Sequence, residues 1–242
     1  MPKVVSRERF IAARKKFLAK EKKFTRARDK LAADRRKLPW MRVEKEYAFD
    51  TASGRKTLSD LFAGRSQLIV YHFMFAPEWE AGCPGCSHWA DSFDGAIVHL
   101  HHRDVTMIAC SRAPLAKLEA YQRRMGWRFR WVSSNGSDFN YDFQASFRPE
   151  DVKKKRAFFN YEWQDPWTTD REGLSVFFKD KKGRIFLTYS THARGIDPMS
   201  VDYQYLDVTP KGRNEGSRGP YWVRRHDEYE DLEPGGYDDN RR

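Results

Sequence analysis

The stretch Gln67-Leu-Ile-Val-Tyr-His-Phe-Met-Phe75, followed after a short loop by Cys83-Pro84-Gly85-Cys86, decides how this chain is read. Residues 67–75 are apolar on both faces, the pattern of a central parallel strand. From about Gly85 to His101, Trp89, Phe93, Ala96, Ile97 and Leu100 recur at helical spacing, so the motif opens an amphipathic helix. Two thiols one helical turn apart can close a disulfide or share a metal. At a helix start the first thiol meets unpaired N–H groups and the positive end of the helix dipole, which favour its thiolate. Strand, then C-x-x-C, then helix is the context of a thioredoxin-like redox site.

Outward from this stretch the chain keeps alternating. Asp104 to Cys110 reads as a second strand. Pro114 opens a helix with Leu115, Leu118 and Met125 inward and Gly126 as its stop. Phe129 to Val132 is a third short strand. Residues 174–179 and 184–189 form a hairpin that turns at Asp180-Lys-Lys-Gly183. Residues 43–62 predict a smaller hairpin turning at Thr51-Ala-Ser-Gly54, then a helical turn from Ser59. The order predicts an α/β fold, a mixed sheet flanked by helices, with an antiparallel end. Right-handed crossovers put the first two strand ends and the motif on one edge of the sheet. Residues 133–173 form an aromatic-rich insertion, with Phe139, Tyr141, Phe143, Phe147, Phe158, Phe159, Tyr161, Trp163 and Trp167 among polar turns. It is too aromatic for a disordered linker, and most of its rings are expected in local core, a minority lining a cleft.

The net charge of +11 is confined to one end. Residues 1–37 hold 15 Lys and Arg against 4 Asp and Glu, while the remaining 30 and 30 cancel. Residues 6–37 read as one helix without Pro or Gly, ended by Leu38-Pro39-Trp40. Phe10, Phe17, Phe24, Leu31 and Leu38 recur every seven residues, and Arg14, Glu21, Arg28 and Arg35 fill the opposite seam. Such a stripe predicts an arm that docks on the body or on a partner subunit, and a homo-oligomer assembled through it. A basic arm can also neutralise phosphates, but no recognised nucleic-acid motif accompanies it, which argues against that partner. The division expected is an arm over 1–37, a body over 38–229 and a mobile acidic tail over 230–242.

No apolar run reaches membrane-spanning length, and the N-terminus lacks the apolar core of a signal peptide. Three cysteines leave one over if two pair, which argues against a disulfide-stapled secreted scaffold. A soluble, cytoplasmic protein is expected, with no membrane partner.

Five segments carry a family resemblance: Leu38-Pro-Trp-Met-Arg-Val, Leu68-Ile-Val-Tyr-His-Phe-Met-Phe, Glu78-Trp-Glu-Ala-Gly-Cys-Pro-Gly-Cys-Ser, Ser133-Ser-Asn-Gly-Ser-Asp-Phe-Asn and Tyr221-Trp-Val-Arg-Arg-His-Asp. Through them nearly the whole chain resembles a thioredoxin-like bacterial family known as domain of unknown function 899. Its members are labelled dithiol-disulfide oxidoreductases or isomerases. The resemblance implies a thioredoxin-like fold, and a reaction only weakly, because fold does not determine function. Two departures from thioredoxin stand out. The middle pair is Pro84-Gly85 rather than Gly-Pro, and Glu172-Gly-Leu-Ser-Val-Phe-Phe178 lacks the proline that precedes the strand facing the motif in thioredoxins. A peroxiredoxin pattern is similar too, with Pro77 upstream of Cys83, but it is one residue short and has Ala81 where a Thr or Ser belongs.

The leading function is thiol–disulfide oxidoreduction on a protein or small-molecule substrate, with Cys83 attacking and Cys86 resolving. It needs no cofactor. The alternative is a non-catalytic thioredoxin-like binding or assembly module with structural thiols. Zinc needs four ligands and the motif supplies two; His88 and Cys110 would have to complete the set, and no metal is expected. Cys110 ends the second strand near the motif, as a third redox thiol or, more often, a small buried hydrophobe. Arg112 supplies a positive field to Cys83 or is a solvated loop residue. Trp79 and Glu80 precede the motif, and Trp79 covers the disulfide as a substrate contact or simply packs. His88 shuttles a proton or sits on the surface. His99, His101 and His102 suit a helix end, and His72 a satisfied core position.

Overall fold

The computed structural model describes residues 2–229; the acidic segment 230–242 lies outside the described residues. The chain divides into two units, Met1–Trp40 and Met41–Arg242. The first is the helix α1 (Arg7–Arg35), capped by Ser6, whose hydroxyl accepts from the Arg9 N–H. Arg14 pairs with Glu21 along it and lies over the Phe17 ring. None of its side chains is buried.

The second unit begins with β1 (Met41–Val43), the hairpin β2 (Ala48–Thr51) and β3 (Gly54–Thr57), and the turn α2 (Leu58–Leu61). Thr57 and Asp60 close a capping box on α2. The central strand β4 (Gln67–His72) leads into α3 (Pro84–Ala90), α4 (Phe93–His101) and β5 (Val105–Ser111). Then come α5 (Leu115–Arg124), β6 (Trp131–Ser133), α6 (Phe139–Asp142), α7 (Pro149–Lys153) and the two-stranded β7 (Ala157–Phe159) and β8 (Glu162–Gln164). The hairpin β9 (Gly173–Lys179) and β10 (Ile185–His192) completes an eight-stranded mixed sheet in the order β1-β10-β9-β4-β5-β6-β2-β3. A 3-10 turn (Ala193–Met199) and α8 (Val201–Leu206) follow.

β4 runs parallel to β5 and antiparallel to β9. A parallel pair joined by helices, flanked by an antiparallel hairpin on the far side of its first strand, is the thioredoxin-like arrangement. Pleating divides the sheet side chains between two faces. On one face Tyr71 and Ala109 pack against Cys86, Ala90, Phe93, Leu118 and Tyr121 of α3, α4 and α5. On the other, Val70, Ile108, Cys110 and Val132 meet Leu61, Phe62, Phe139 and Phe143. The insertion follows the expectation for its rings only in part: four of the nine are buried, and none lines the cavity described below. Phe139 and Phe143 enter that second core and Phe147 and Phe159 form a third, whereas Phe158, Tyr161, Trp163 and Trp167 are exposed.

Three predicted elements change shape. The strand stops at His72 rather than Phe75: the Phe73 N–H still donates to the Cys110 carbonyl, at 2.9 Å, but the Met74 N–H turns to the Cys86 sulfur, at 3.4 Å. The predicted helix over 85–101 breaks at Asp91-Ser92. There the Ser92 hydroxyl donates to the Trp89 carbonyl, competing with the helical bonds, and the Trp127 indole donates to the Asp91 carboxylate. After the break α4 presents Ala96 to solvent, so it leaves the predicted buried stripe. The third strand starts at Trp131, two residues later than expected.

Candidate functional site

Cys83 caps α3 and Pro84 takes its first position, where a missing N–H costs nothing. The approach to the motif is tightly held. The Cys83 N–H donates to the Met74 carbonyl at 3.0 Å. The Ser87 hydroxyl donates to the Cys83 carbonyl and accepts from the Tyr121 hydroxyl, both at 2.8 Å. Gly82 is required here, because a Cβ would stand 2.7 Å from the Phe73 ring. Its carbonyl accepts both arms of the Arg225 guanidinium, at 2.7 and 3.1 Å.

The two thiols are unlike. Cys83 is half-buried and Cys86 fully buried. The Cys86 thiol donates to the Cys83 sulfur, and the backbone N–H groups of Cys86 and Gly85 add to it without forming a regular side-chain cap. These bonds bring the Cys83 thiol down from an ordinary 9.0 to about 7, against burial and the Glu172 carboxylate, which oppose ionisation. Burial pushes Cys86 well up, and the neighbouring Cys83 adds to that. The buried Tyr71 hydroxyl lies beside the Cys86 sulfur, with no other partner among the described residues.

Cys83 opens onto a cavity of about 870 Å³, which Cys86 borders from beneath the surface. Pro84, Gly85, His88 and Trp89 form its α3 side, Glu172 stands just before β9, and residues 193–223 form the facing wall. That wall is pinned to the motif helix. His88 Nε2 bonds Asp202 Oδ2 at 2.5 Å, and its ring meets those of Tyr203 and Trp222.

Several sequence-predicted residues lie elsewhere. Cys110 is buried on the opposite face of the sheet, its thiol donating to Asn140 Oδ1 at 3.4 Å, and burial lifts it to about 12. It cannot complete a metal set with the motif. Arg112 is not a solvated loop residue; its side chain is largely buried in an ion pair with Asp170. Its Nε donates to Asp170 Oδ1 at 2.7 Å and its Nη1 to the Tyr141 hydroxyl at 2.9 Å, fastening the insertion. Trp79 packs on the core outside the cavity and Glu80 is exposed. His72 is buried, with Nε2 bonded to Ser175 Oγ at 2.9 Å. His88 is a strut to Asp202 rather than a free surface residue. Glu172, Tyr71, Arg213 and Glu215 were not legible as site residues. Glu172 alone had a signal, its place at the start of the strand antiparallel to β4.

A C-x-x-C on the first turn after the central parallel strand, at the carboxyl end of a sheet of this order, defines a thioredoxin-like protein. The chain matches, over residues 1–229, the family described as Bacterial protein of unknown function (DUF899), and it belongs to that family. No curated protein matches it. Among solved structures it is similar to the peroxidoxin BcpB of Mycobacterium tuberculosis, at 11% identity over 64% of this chain and 90% of that one, with a TM-score of 0.43. A peroxiredoxin Q variant of Xylella fastidiosa shares 13% identity over 66% and 88%, with a TM-score of 0.42. The reduced 2-Cys peroxiredoxin of Plasmodium vivax shares 12% over 71% and 96%, with a TM-score of 0.41. Among the described residues no helix is long and apolar enough to cross a membrane.

Proposed function

We propose that the protein is a thiol–disulfide oxidoreductase that cycles Cys83 and Cys86 between dithiol and disulfide. The observation that carries this reading is the asymmetry of the pair: an acidic, half-buried Cys83 facing a cavity, backed by a buried Cys86 held protonated. The attacking thiol works best with a pKa near ambient pH, and a protonated neighbour is kept in reserve.

In the reducing direction the Cys83 thiolate attacks one sulfur of a disulfide, forming a mixed disulfide and releasing one thiolate, which takes a proton. The Cys86 thiol then loses its proton and attacks the Cys83 sulfur, and the second thiol leaves. Two electrons and two protons pass from the dithiol to the substrate. The Tyr71 hydroxyl beside Cys86 is placed to stabilise the thiolate that forms there. Met74 N–H, donating to the same sulfur, does likewise.

The test is mass spectrometry of full-length protein alkylated after denaturation, before and after exposure to bis(2-hydroxyethyl) disulfide, a small neutral oxidant. Loss of two alkylation sites, mapped to Cys83 and Cys86 and restored by dithiothreitol, is expected. If both thiols stay free, the reading fails.

A further inference from the structure

The cavity before Cys83 carries a charge pattern that the redox chemistry itself does not use. Four carboxylates line it, those of Glu172, Asp197, Asp207 and Glu215, against the guanidiniums of Arg194 and Arg213. Arg213 lies 3.0 Å from Asp197 and 2.9 Å from Asp207, and Arg194 lies 3.2 Å from Asp197, so these four groups neutralise one another. Glu215 is different. Its Oε1 accepts from the Trp222 indole at 2.8 Å and the Tyr203 hydroxyl at 3.2 Å, both neutral, and it joins no ion pair among the described residues. Among the described residues Glu172 pairs with Arg171 alone, at a long 3.5 Å, and that guanidinium lies over the Phe159 and Trp167 rings. The lining therefore carries two carboxylates more than guanidiniums, with Arg171 set against Glu172 from outside it.

Size and rigidity narrow the ligand further. The volume suits a small molecule. The wall over residues 193–223 is fastened through Asp202, Tyr203 and Trp222 to His88, so it does not stand as an open groove for an extended chain. Tyr71, Met74, Trp89 and Val223 add apolar lining.

Resting on the redox reading above, we propose that this cavity selects a small aliphatic disulfide or thiol bearing a cationic ammonium group, its sulfur at Cys83 and its ammonium drawn to Glu172 and Glu215. Exchange proceeds as already written, with the ligand disulfide reduced to two thiols and the Cys83/Cys86 dithiol oxidised. The selectivity is electrostatic, from two fixed charges in a partly enclosed site, where attraction is stronger than in bulk water.

The test uses reduced full-length protein in single turnover with three disulfides of similar size: cystamine (dicationic), bis(2-hydroxyethyl) disulfide (neutral) and 3,3′-dithiodipropionate (dianionic), with insulin as a protein disulfide. Each rate is divided by that of the same compound with free dithiothreitol, which removes its intrinsic reactivity. Cystamine should exceed dithiodipropionate by roughly tenfold or more at low ionic strength, and the ratio should fall as salt is raised. The isosteric Glu215→Gln and Glu172→Gln variants should each lower it. A normalised ratio near one, or insulin outpacing cystamine, would overturn the inference and leave the redox reading standing. If no disulfide oxidises the motif, the redox reading falls and this inference falls with it.

Discussion

Replacing Cys86 by Ala tests the asymmetry on which the site depends. The Cys83 thiol is brought down from its ordinary 9.0 to about 7, and the largest cause is the hydrogen bond from Cys86. A change from 9.0 to about 7 corresponds to a preference for the thiolate on the order of 3 kcal/mol. A hydrogen bond to a charged acceptor is worth about 1.5–3 kcal/mol, so this one bond is large enough to supply most of the shift. What remains after its loss is burial, which opposes ionisation, against the weaker backbone contributions from Cys86 and Gly85. Cys86→Ala should therefore raise the Cys83 midpoint by about 1 unit or more. Cys86→Ser keeps a donor at the same place and should hold it near the wild-type value. The assay is the pH dependence of pseudo-first-order alkylation by iodoacetamide, with peptide mapping to confirm that Cys83 is the residue labelled. Cys110, buried and raised to about 12, should stay silent. A wild-type midpoint at the ordinary thiol value, or one that does not move in Cys86→Ala, would refute the reasoning.

Other perturbations have equally direct readouts. Arg225→Ala leaves the Gly82 carbonyl without its two guanidinium bonds, and should cost about 1–3 kcal/mol in urea unfolding and slow Cys83 alkylation by loosening the loop. Burial lowers His72 from 6.5 to about 3 and His192 from 6.5 to about 4, so the unfolded chain binds protons that the folded chain refuses between those values. Stability should then rise with pH up to about 6.5, by up to roughly 1.4 kcal/mol per unit for each histidine, and level off above it; an equally steep acid loss between pH 5 and 6.5 in a variant lacking both histidines would exclude this cause. Burying Phe10, Phe17 and Phe24 is worth about 1.5–3 kcal/mol each, so deletion of residues 1–37 should lower the oligomeric state in light scattering and leave the Cys83 midpoint unchanged. Salt-sensitive RNA binding, lost on that deletion at constant oligomeric state, would assign the arm to a different partner.

By itself the sequence determined the strand–motif–helix order, the βαβ unit, the terminal hairpin and the long arm. Each rests on local rules: apolar runs, helical spacing, Pro and Gly stops, and the Asp180–Gly183 turn. Gly183 adopts the positive φ that such a turn asks of a glycine. Cys83 and Cys86 were legible for the same reason, since their relation is one helical turn. Tertiary structure decided the rest of the site. Cys110 and His72 are register partners, and only the pairing of β4 with β5 places the Cys110 side chain on the face away from the motif. Arg112 meets Asp170 58 residues away, His88 meets Asp202 114 residues away, and Arg225 reaches Gly82 across 143. The pattern within each segment does not reveal which distant segment it faces. The partners meet only because the sheet order and the path of residues 193–223 bring them to the carboxyl end of β4, and the cavity and its charge exist only once that has happened.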